Sequence, residues 1–171
     1  MELFEALKTR RSIRKFTDEP VSDDELKTVL EAAMMAPSAG NAQPWQFIVV
    51  TEQEKLEKIG SINPYAAMAA RAPVSILVCG DLSLEKFPGY WVQDCSAAVE
   101  NMLLAIHGLG LGAVWTGVHP LKERIKGFRD LLGLPEQIQP LAFLVIGHPD
   151  QQLKSESRYR EDRIHHNQWE G

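Results

Sequence analysis

Hydrophobic residues recur at helical spacing in two segments near the start of the chain. The first segment, residues 3–7, predicts a short helix that ends beside Arg10. The second, residues 26–34, follows Ser22 and Glu25, which are spaced as a capping box, and it is followed by a proline. We therefore predict two early helices, with a basic sequence directly after the first and a loop directly after the second.

A third helical pattern, residues 91–108, carries apolar side chains around most of its circumference, which predicts a central helix with neighbours on nearly all sides. Residues 108–113 (GLGLGA) then match the letters of the G-x-G-x-x-A dinucleotide-binding fingerprint. That fingerprint follows a strand and opens a helix. Here it closes a helix and leads into a strand, so the glycines are interpreted as a helix end and a turn.

Apolar runs rich in β-branched and aromatic residues predict four strands. The predicted strands are residues 45–50, 74–79, 113–116 and 141–146. Between the first two, a short polar helix is expected to begin after Thr51 and to end at Gly60. Because helices and strands alternate irregularly, the pattern favours a mixed sheet with helices packed on it. A chain of 171 residues is typical of a single domain, here residues 1–171.

The last segment, residues 155–171, is polar and charged but contains Tyr159, Ile164 and Trp169. Disordered tails are usually poor in large aromatic residues. We therefore predict that this segment packs against a protein surface.

Composition and charge exclude several kinds of function. The formal net charge of -5 is opposite in sign to the basic surface of a typical nucleic-acid-binding protein. No apolar stretch has the length of a membrane helix, and the acidic N-terminus differs from a signal peptide, so a cytoplasmic location is expected. Cys79 and Cys95 are spaced neither as a redox pair nor as a zinc site, and we expect buried thiols. His165 and His166 lack a nearby set of further ligands, so no metal is expected.

Within this acidic chain, residues 10–16 (RRSIRKF) place four cations close together. A charge cluster is often only a solvated surface, and this alternative stays open. However, Ile13 and Phe16 give the segment an apolar side that would fix the direction of its charges. Arginine also offers a planar set of donors that matches phosphate oxygens. The pattern indicates a site for one small anion.

Residues 37–45 (PSAGNAQPW) predict a loop with small residues that permit close approach of a ligand. Its uncharged donors and acceptors, Ser38, Asn41 and Gln43, suit a heteroaromatic ring or a sugar-like chain. The alternative is a turn whose side chains satisfy only its own backbone. Further along, residues 114–117 (VWTG) predict a strand that breaks at a glycine beside tryptophan, where backbone N–H groups are available to a ligand ring.

Four motifs in order resemble the FMN-dependent nitroreductase family. They are R-R-S-x-R-K-F, P-S-x-G-N-x-Q-P-W, the segment GLGLGAVWTG, and I-G-H-P followed by R-x-H-x-N-x-W. The resemblance extends from Phe4 to Trp169. It implies an α+β fold with a mixed, largely antiparallel central sheet, helices on both faces, and an intertwined homodimer with two FMN sites at the interface. In such a dimer, residues 155–171 would be a C-terminal arm that packs on the partner subunit.

The resemblance also implies which residues bind FMN. The N-terminal motif is expected to hold the phosphate through Arg10 and to place Arg14 near the pyrimidine edge of the flavin. The loop is expected to reach the cofactor of the other subunit, and a backbone N–H of the VWTG segment to face flavin N5. A late basic residue, Arg158 or alternatively Arg160, is expected at the phosphate. The implied cofactor-binding residues are Arg10, Arg11, Ser12, Arg14, Pro37, Ser38, Asn41, Trp115, Thr116, Gly117 and Arg158.

The activity that the resemblance implies is a ping-pong reduction of nitroaromatics, quinones or a similar small acceptor by NADH or NADPH. FMN supplies the chemistry, so no side chain is assigned as catalytic. Two alternatives stay open. One is another branch of the family, either a reductive dehalogenase or a flavin-degrading enzyme, and the other is a flavin-binding protein without catalytic activity. The chain is short at residues 60–73 and 80–91, where the family shapes its substrate channel, so the acceptor is not predicted.

Overall fold

An antiparallel sheet separates two layers of helices in a computed structural model, which describes residues 1–169. Its strands are Trp45–Val50 (β1), Val74–Asp81 (β2), Gly112–Gly117 (β3) and Ile138–Gly147 (β4), in the order β1-β2-β4-β3. All three pairs of neighbouring strands are antiparallel. The predicted α+β class is confirmed, but the sheet is antiparallel and not mixed. Parallel pairing among the described residues is confined to an isolated bridge between Ser12 and Ala113.

The predicted helices on both faces of the sheet are also confirmed. The helices are Leu3–Thr9 (α1), Asp23–Met34 (α2), Gln53–Ile62 (α3), Trp91–Gly108 (α4) and Lys122–Leu132 (α5). Helices α2 and α4 pack on one face, and α3, α5 and the 3-10 segment Pro64–Arg71 pack on the other. Strand residues alternate between the two cores, as β geometry requires. Both faces of the sheet are therefore buried.

Helix α4 is the central helix that its apolar pattern predicts. Of its 18 residues, only Gln93 and Gly108 are exposed, and it contacts every strand of the sheet as well as α1 and α2. After it, Gly110 turns the chain with a φ of 82°, a conformation that glycine adopts without strain. Gly112 then begins β3. The interpretation of this glycine-rich sequence as a helix end and a turn is confirmed.

The capping box at the start of α2 is formed as predicted. The Glu25 backbone N–H donates to Ser22 Oγ over 3.3 Å, and the Glu25 carboxylate accepts from the Ser22 backbone N–H over 2.8 Å. The bond from the Ser22 backbone, followed by one from the Ser22 hydroxyl over 2.7 Å, holds the pKa of the Glu25 carboxyl below its usual range. By contrast, the predicted end of α3 at Gly60 is wrong, because α3 continues to Ile62.

Both cysteines are buried, as predicted. Burial raises the pKa of Cys79 and of Cys95 to about 12, so both thiols stay protonated and unreactive at neutral pH. Within residues 1–169, no three His, Cys, Asp or Glu side chains are grouped as a metal site. The same part of the chain has no helix with the length and apolar character needed to cross a bilayer.

The C-terminal segment lies on the surface of this fold. Between Gln151 and Trp169, its regular structure is limited to the 3-10 turn Glu161–Arg163. Tyr159 and Trp169 are 72% and 81% exposed. The packing of this segment on another surface stays a prediction.

Candidate functional site

The basic segment, residues 10–16, docks on the outer edge of β3 near the start of the strand and then pairs with the chain that follows β4. Helix α1 ends at Thr9, and Arg10 follows as its C-terminal cap, so the predicted position of the cations at a helix end is confirmed. The backbone N–H of Ile13 donates to the Ala113 carbonyl over 2.9 Å, which docks the segment on the strand. The Ile13 side chain packs closely over Gly112, which has no Cβ to obstruct it. The apolar side of the segment therefore fixes its charged side, as the sequence predicts.

Three arginines share one cavity beside this segment. Arg10, Arg11 and Arg158 line a cavity of about 590 Å³, which we call the arginine cavity. Its size lies within the range of small-molecule sites in proteins. The Arg11 guanidinium is held by the carbonyl oxygens of Arg10 at 2.7 Å and of Lys154 at 3.3 Å. Arg11 thus ties the C-terminal segment to the basic segment and brings Arg158 to the cavity.

Arg158 and Arg160 have different surroundings. Arg160 binds both carboxylate oxygens of Asp162, each over 2.8 Å, and it does not line the arginine cavity. Arg158 lines the cavity, and none of the ion pairs found in residues 1–169 includes it. The geometry therefore favours Arg158 over Arg160 as the late cation of the site.

His107 lies near Arg10 and stays neutral at neutral pH. Its Nε2 is 2.8 Å from Thr9 Oγ1, and that hydroxyl donates to the Glu5 carbonyl over 2.7 Å. The Thr9 hydroxyl therefore lies between the imidazole and the Glu5 carbonyl. Burial and the charge of Arg10 lower the pKa of His107. Positive charge at this end of the basic segment consequently comes from arginine rather than histidine.

Arg14 faces a second cavity, also of about 590 Å³. Its walls include Lys15, Met68, Arg71 and Asp150. Arg71 comes from the 3-10 segment on the other side of the sheet and was not predicted as a site residue. Two arginines from distant parts of the sequence therefore meet at one cavity.

The open edge of β3 offers backbone hydrogen-bond groups. The Ala113 carbonyl accepts from Ile13, on the side of the strand away from β4. Since main-chain groups alternate direction along a strand, those of Trp115 and Gly117 point to the same open edge. Thr116 is different, because its buried hydroxyl donates to the Phe143 carbonyl of β4 over 2.8 Å. Of these three residues, Trp115 and Gly117 direct their main-chain groups to the open edge, whereas Thr116 directs its main-chain groups toward β4.

The loop of residues 37–44 is held in a tight conformation. Three of its residues have positive φ, namely Gly40 at 59°, Asn41 at 53° and Gln43 at 49°. Ser38 Oγ accepts from the Gln43 backbone N–H over 3.0 Å, and Asn41 Oδ1 accepts from Gln43 Nε2 over 2.7 Å. Part of the polar set is thus used within the loop, as the turn interpretation expects. The Ser38 O–H and the Asn41 amide N–H groups donate to no partner in the described part of the chain.

A buried carboxylate anchors this loop to α4. Asp94 is 5% exposed, and its Oδ1 accepts from the Ala39 backbone N–H over 2.9 Å. Arg10 approaches the same helix further along, where its Nε is 3.8 Å from Glu100 Oε1. No hydrogen bond or ion pair within residues 1–169 joins the loop to the basic segment. Pro37, Ser38 and Asn41 are also not among the residues that line the arginine cavity.

Comparison with known proteins identifies the family. The model named Nitroreductase family matches residues 7–64 and 61–148 of the chain. The chain belongs to the nitroreductase family. The matched region contains the basic segment, the loop and the open edge of β3, and it ends before Arg158.

Individual members of the family are similar over nearly the whole chain. A relative from Methanothermobacter thermautotrophicus, described as an NADH dehydrogenase/NAD(P)H nitroreductase, is 51% identical over 99% of this chain and 88% of its own length. The crystal structure of a protein so described from Parabacteroides distasonis has a TM-score of 0.94 and 39% identity, covering 98% of both chains. A nitroreductase from Desulfovibrio desulfuricans in complex with FMN has a TM-score of 0.84 and 34% identity, covering 99% of this chain and 98% of that chain. These matches confirm the predicted nitroreductase-like fold.

Proposed function

We propose that this nitroreductase-family chain binds FMN and uses NADH or NADPH to reduce a small acceptor, such as a nitroaromatic compound or a quinone. The observation that carries the proposal is the arginine cavity, which adjoins a basic segment docked on the open edge of β3. The relatives support the same activity, since one is described as an NAD(P)H nitroreductase and another holds FMN. The proposal includes a ping-pong mechanism and the chemical class of the acceptor.

The residues of the cavity fit a flavin mononucleotide. Guanidinium groups of Arg10 and Arg158 would hold the phosphate by charge-assisted hydrogen bonds. Arg11 would act mainly by fixing the cavity wall, because its donors already bind carbonyl oxygens. Ser12, whose backbone bridges to Ala113, would lie between the phosphate and the ring.

The ring would lie along the open edge of β3. A backbone N–H of Trp115 or Gly117 would face N5, while Arg14, joined at its cavity by Arg71, would lie at the pyrimidine edge. When bound, FMN supplies the acceptance and donation of a hydride. Fixed cations at the pyrimidine edge favour the negative charge that builds up there during reduction. No side-chain acid or base is required.

A homodimer completes the proposed site. The loop does not line the arginine cavity of its own subunit, so Pro37, Ser38 and Asn41 would serve the site of the partner. Residues 155–171 would be an arm of the single domain that packs on the partner subunit. Large apolar side chains exposed in one subunit support this arrangement, among them Phe4 at 73% and Met35 at 81% exposure. A cytoplasmic location belongs to the same proposal.

The visible spectrum of the purified protein tests the cofactor directly. We expect absorption bands of oxidised flavin, release of FMN on heating, and bleaching of the bands by NADH or NADPH without oxygen. Reoxidation by nitrofurazone or menadione would support the proposed acceptors. Reoxidation by a halotyrosine alone would favour dehalogenation, and loss of the flavin itself would favour flavin breakdown. Yellow protein that no nucleotide reduces would favour a binding protein, and protein that cannot be loaded with FMN would contradict the proposal.

Arg158 and Arg160 provide a matched pair of substitutions. We expect Arg158→Ala to weaken FMN binding about tenfold, because a charge-assisted contact to the phosphate is lost. Arg160→Ala should change FMN binding less than twofold, since Arg160 is bound to Asp162 at an exposed site. Fluorescence titration of the FMN-free proteins measures both constants. An equal effect of the two substitutions would contradict the assignment of Arg158.

A further inference from the structure

The Gly117 carbonyl, at the open edge of β3, is bound by side chains from two other elements. Arg124 of α5 donates from Nη1 over 2.8 Å, and Asn63 at the end of α3 donates from Nδ2 over 3.4 Å. Asn63 is completely buried, which is unusual for an amide side chain. A single carbonyl at the end of an edge strand therefore has two dedicated donors.

The two donors are themselves held in place. Asn63 Oδ1 accepts from the Tyr65 backbone N–H over 3.2 Å. The Tyr65 ring carries the Arg124 guanidinium, whose central carbon is 5.3 Å from the ring centroid. The contacts thus form a closed ring through Gly117, Arg124, Tyr65 and Asn63, which we call the Gly117 clamp. It links the strand edge to α3 and α5.

The Gly117 clamp acts on a residue whose backbone is intrinsically flexible. A side chain added at Gly117 would meet nothing within 4 Å, so close packing does not require glycine here. Without a side chain, however, the backbone has more conformational freedom than at any other residue type. Two donors on the carbonyl restrict that freedom by fixing the peptide group between Gly117 and Val118, whose N–H donates to the Leu141 carbonyl over 3.0 Å.

The clamp also places a positive charge at this edge. None of the ion pairs in the described residues includes Arg124, so no carboxylate within ion-pair distance neutralises its charge. Its outer side lines a cavity of about 550 Å³ together with Pro64 and Leu121. The charge is therefore close to both the strand edge and open space.

We propose that Arg124 is a positioning residue, which fixes the Gly117 end of β3 beside the flavin ring and makes the ring easier to reduce through its charge. This inference rests on the proposed function, because it requires FMN at the edge of β3. It assigns a role to a residue on α5, outside the segments that the sequence indicates as cofactor-binding.

The test compares three variants of the FMN-loaded protein: Arg124→Gln, Arg124→Lys and Lys126→Gln. We expect Arg124→Gln to lower the midpoint potential of the flavin, shift its visible bands and slow its reduction by NADH about tenfold. Arg124→Lys keeps the charge and should restore the potential more fully than the band positions. Lys126→Gln removes a cation from the exposed side of the same helix, where it pairs with Asp130, and should match the wild type.

Thermal unfolding of the FMN-free variants shows whether they are folded. An unchanged potential and spectrum in folded Arg124→Gln would overturn the inference while leaving the proposed function intact. If Arg124→Gln does not fold, Arg124→Lys decides, since bands and reduction rate equal to those of the wild type would overturn the inference. Wild-type protein that holds no FMN, or that neither NADH nor NADPH reduces, would contradict the proposed function itself.

Discussion

Protein with Arg10→Ala is expected to bind FMN about 100-fold more weakly than the wild type, because the arginine cavity loses the guanidinium that would hold the phosphate in the proposed site. The backbone at residue 10 ends α1 with a hydrogen bond from its N–H to the Ala6 carbonyl, which alanine retains. The loss should therefore fall on binding rather than folding. Fluorescence titration of the FMN-free protein measures the affinity. The affinity of Arg10→Lys should lie between those of the wild type and Arg10→Ala, since lysine offers a charge without the planar set of donors.

A carboxylate beside Arg10 gives a control of opposite sign. Glu100 Oε1 is 3.8 Å from Arg10 Nε at a partly exposed site. Removing its charge in Glu100→Gln should leave FMN binding unchanged or tighter, because Arg10 then has no competing anion. A loss of affinity in Glu100→Gln as large as that in Arg10→Ala would show that the ion pair serves the fold and would contradict the phosphate role.

Arg10→Ala also has an effect that requires no cofactor. The charge of Arg10 is, after burial, the largest cause that lowers the pKa of His107. In FMN-free Arg10→Ala protein, the pKa of His107 should therefore rise, although burial still opposes the charged form. Titration of the imidazole signals by NMR measures this shift. A pKa equal to that of the wild type would mean that Arg10 does not hold its charge near this end of the basic segment.

Helices α2 and α4 were predicted because each carries its signal within its own sequence. The capping box of α2 and the apolar circumference of α4 are such signals. Helix α5 was not predicted, because Gly127 lies in its interior and glycine weakens a helical pattern. The structure gives the reason for this glycine, since a Cβ there would be 2.5 Å from Ile62 Cγ2 of α3. Gly60 of α3 likewise allows close packing, with a Cβ position only 3.3 Å from Ala67 Cα.

The bounds of the strands also depend on contacts that the local sequence does not show. Strand β4 begins at Ile138, before the predicted start, and includes Pro140. Proline lacks the N–H that a central strand needs, so it usually ends a predicted strand. Here the pairing of β2 with β4 shifts between Val78 and Cys79, opposite this proline, and the irregularity accommodates it. Such a compensation depends on the partner strand and has no local sequence signal.

The residues of the candidate site also differ in whether the local sequence predicts them. The basic segment was predicted from its own letters, because four cations and two apolar residues occur within it. The contacts of Arg71 and Arg124 were not predicted, since each reaches the cavity of Arg14 or the carbonyl of Gly117 only when a 3-10 segment or α5 folds against the sheet. For Thr116, the structure shows that the hydroxyl is bound to the Phe143 carbonyl, so a contact of this residue with the cofactor stays a prediction. A contact between distant segments depends on the fold, and for this reason the local sequence does not predict it.

Gly112→Ala is expected to displace the basic segment and to reduce FMN affinity about 100-fold, as small misplacements of a binding group can do. An added Cβ would lie 2.8 Å from Cβ, Cγ1 and Cγ2 of Ile13, which is closer than real side chains approach. Ile13 cannot move away without cost, because its N–H is bonded to the Ala113 carbonyl over 2.9 Å. The free energy of unfolding should fall by about 1–3 kcal/mol, as is typical for overpacked sites.

Gly108→Ala is the matched control, because Gly108 ends α4 with nothing within 4 Å of an added Cβ. Its stability and FMN affinity should equal those of the wild type or slightly exceed them. Combining Gly112→Ala with Ile13→Ala removes two of the three close contacts and should recover part of the lost affinity. Denaturant unfolding and FMN titration of the four proteins decide the question. If Gly112→Ala binds FMN as tightly as Gly108→Ala does, the docking of the basic segment on β3 does not position the cofactor.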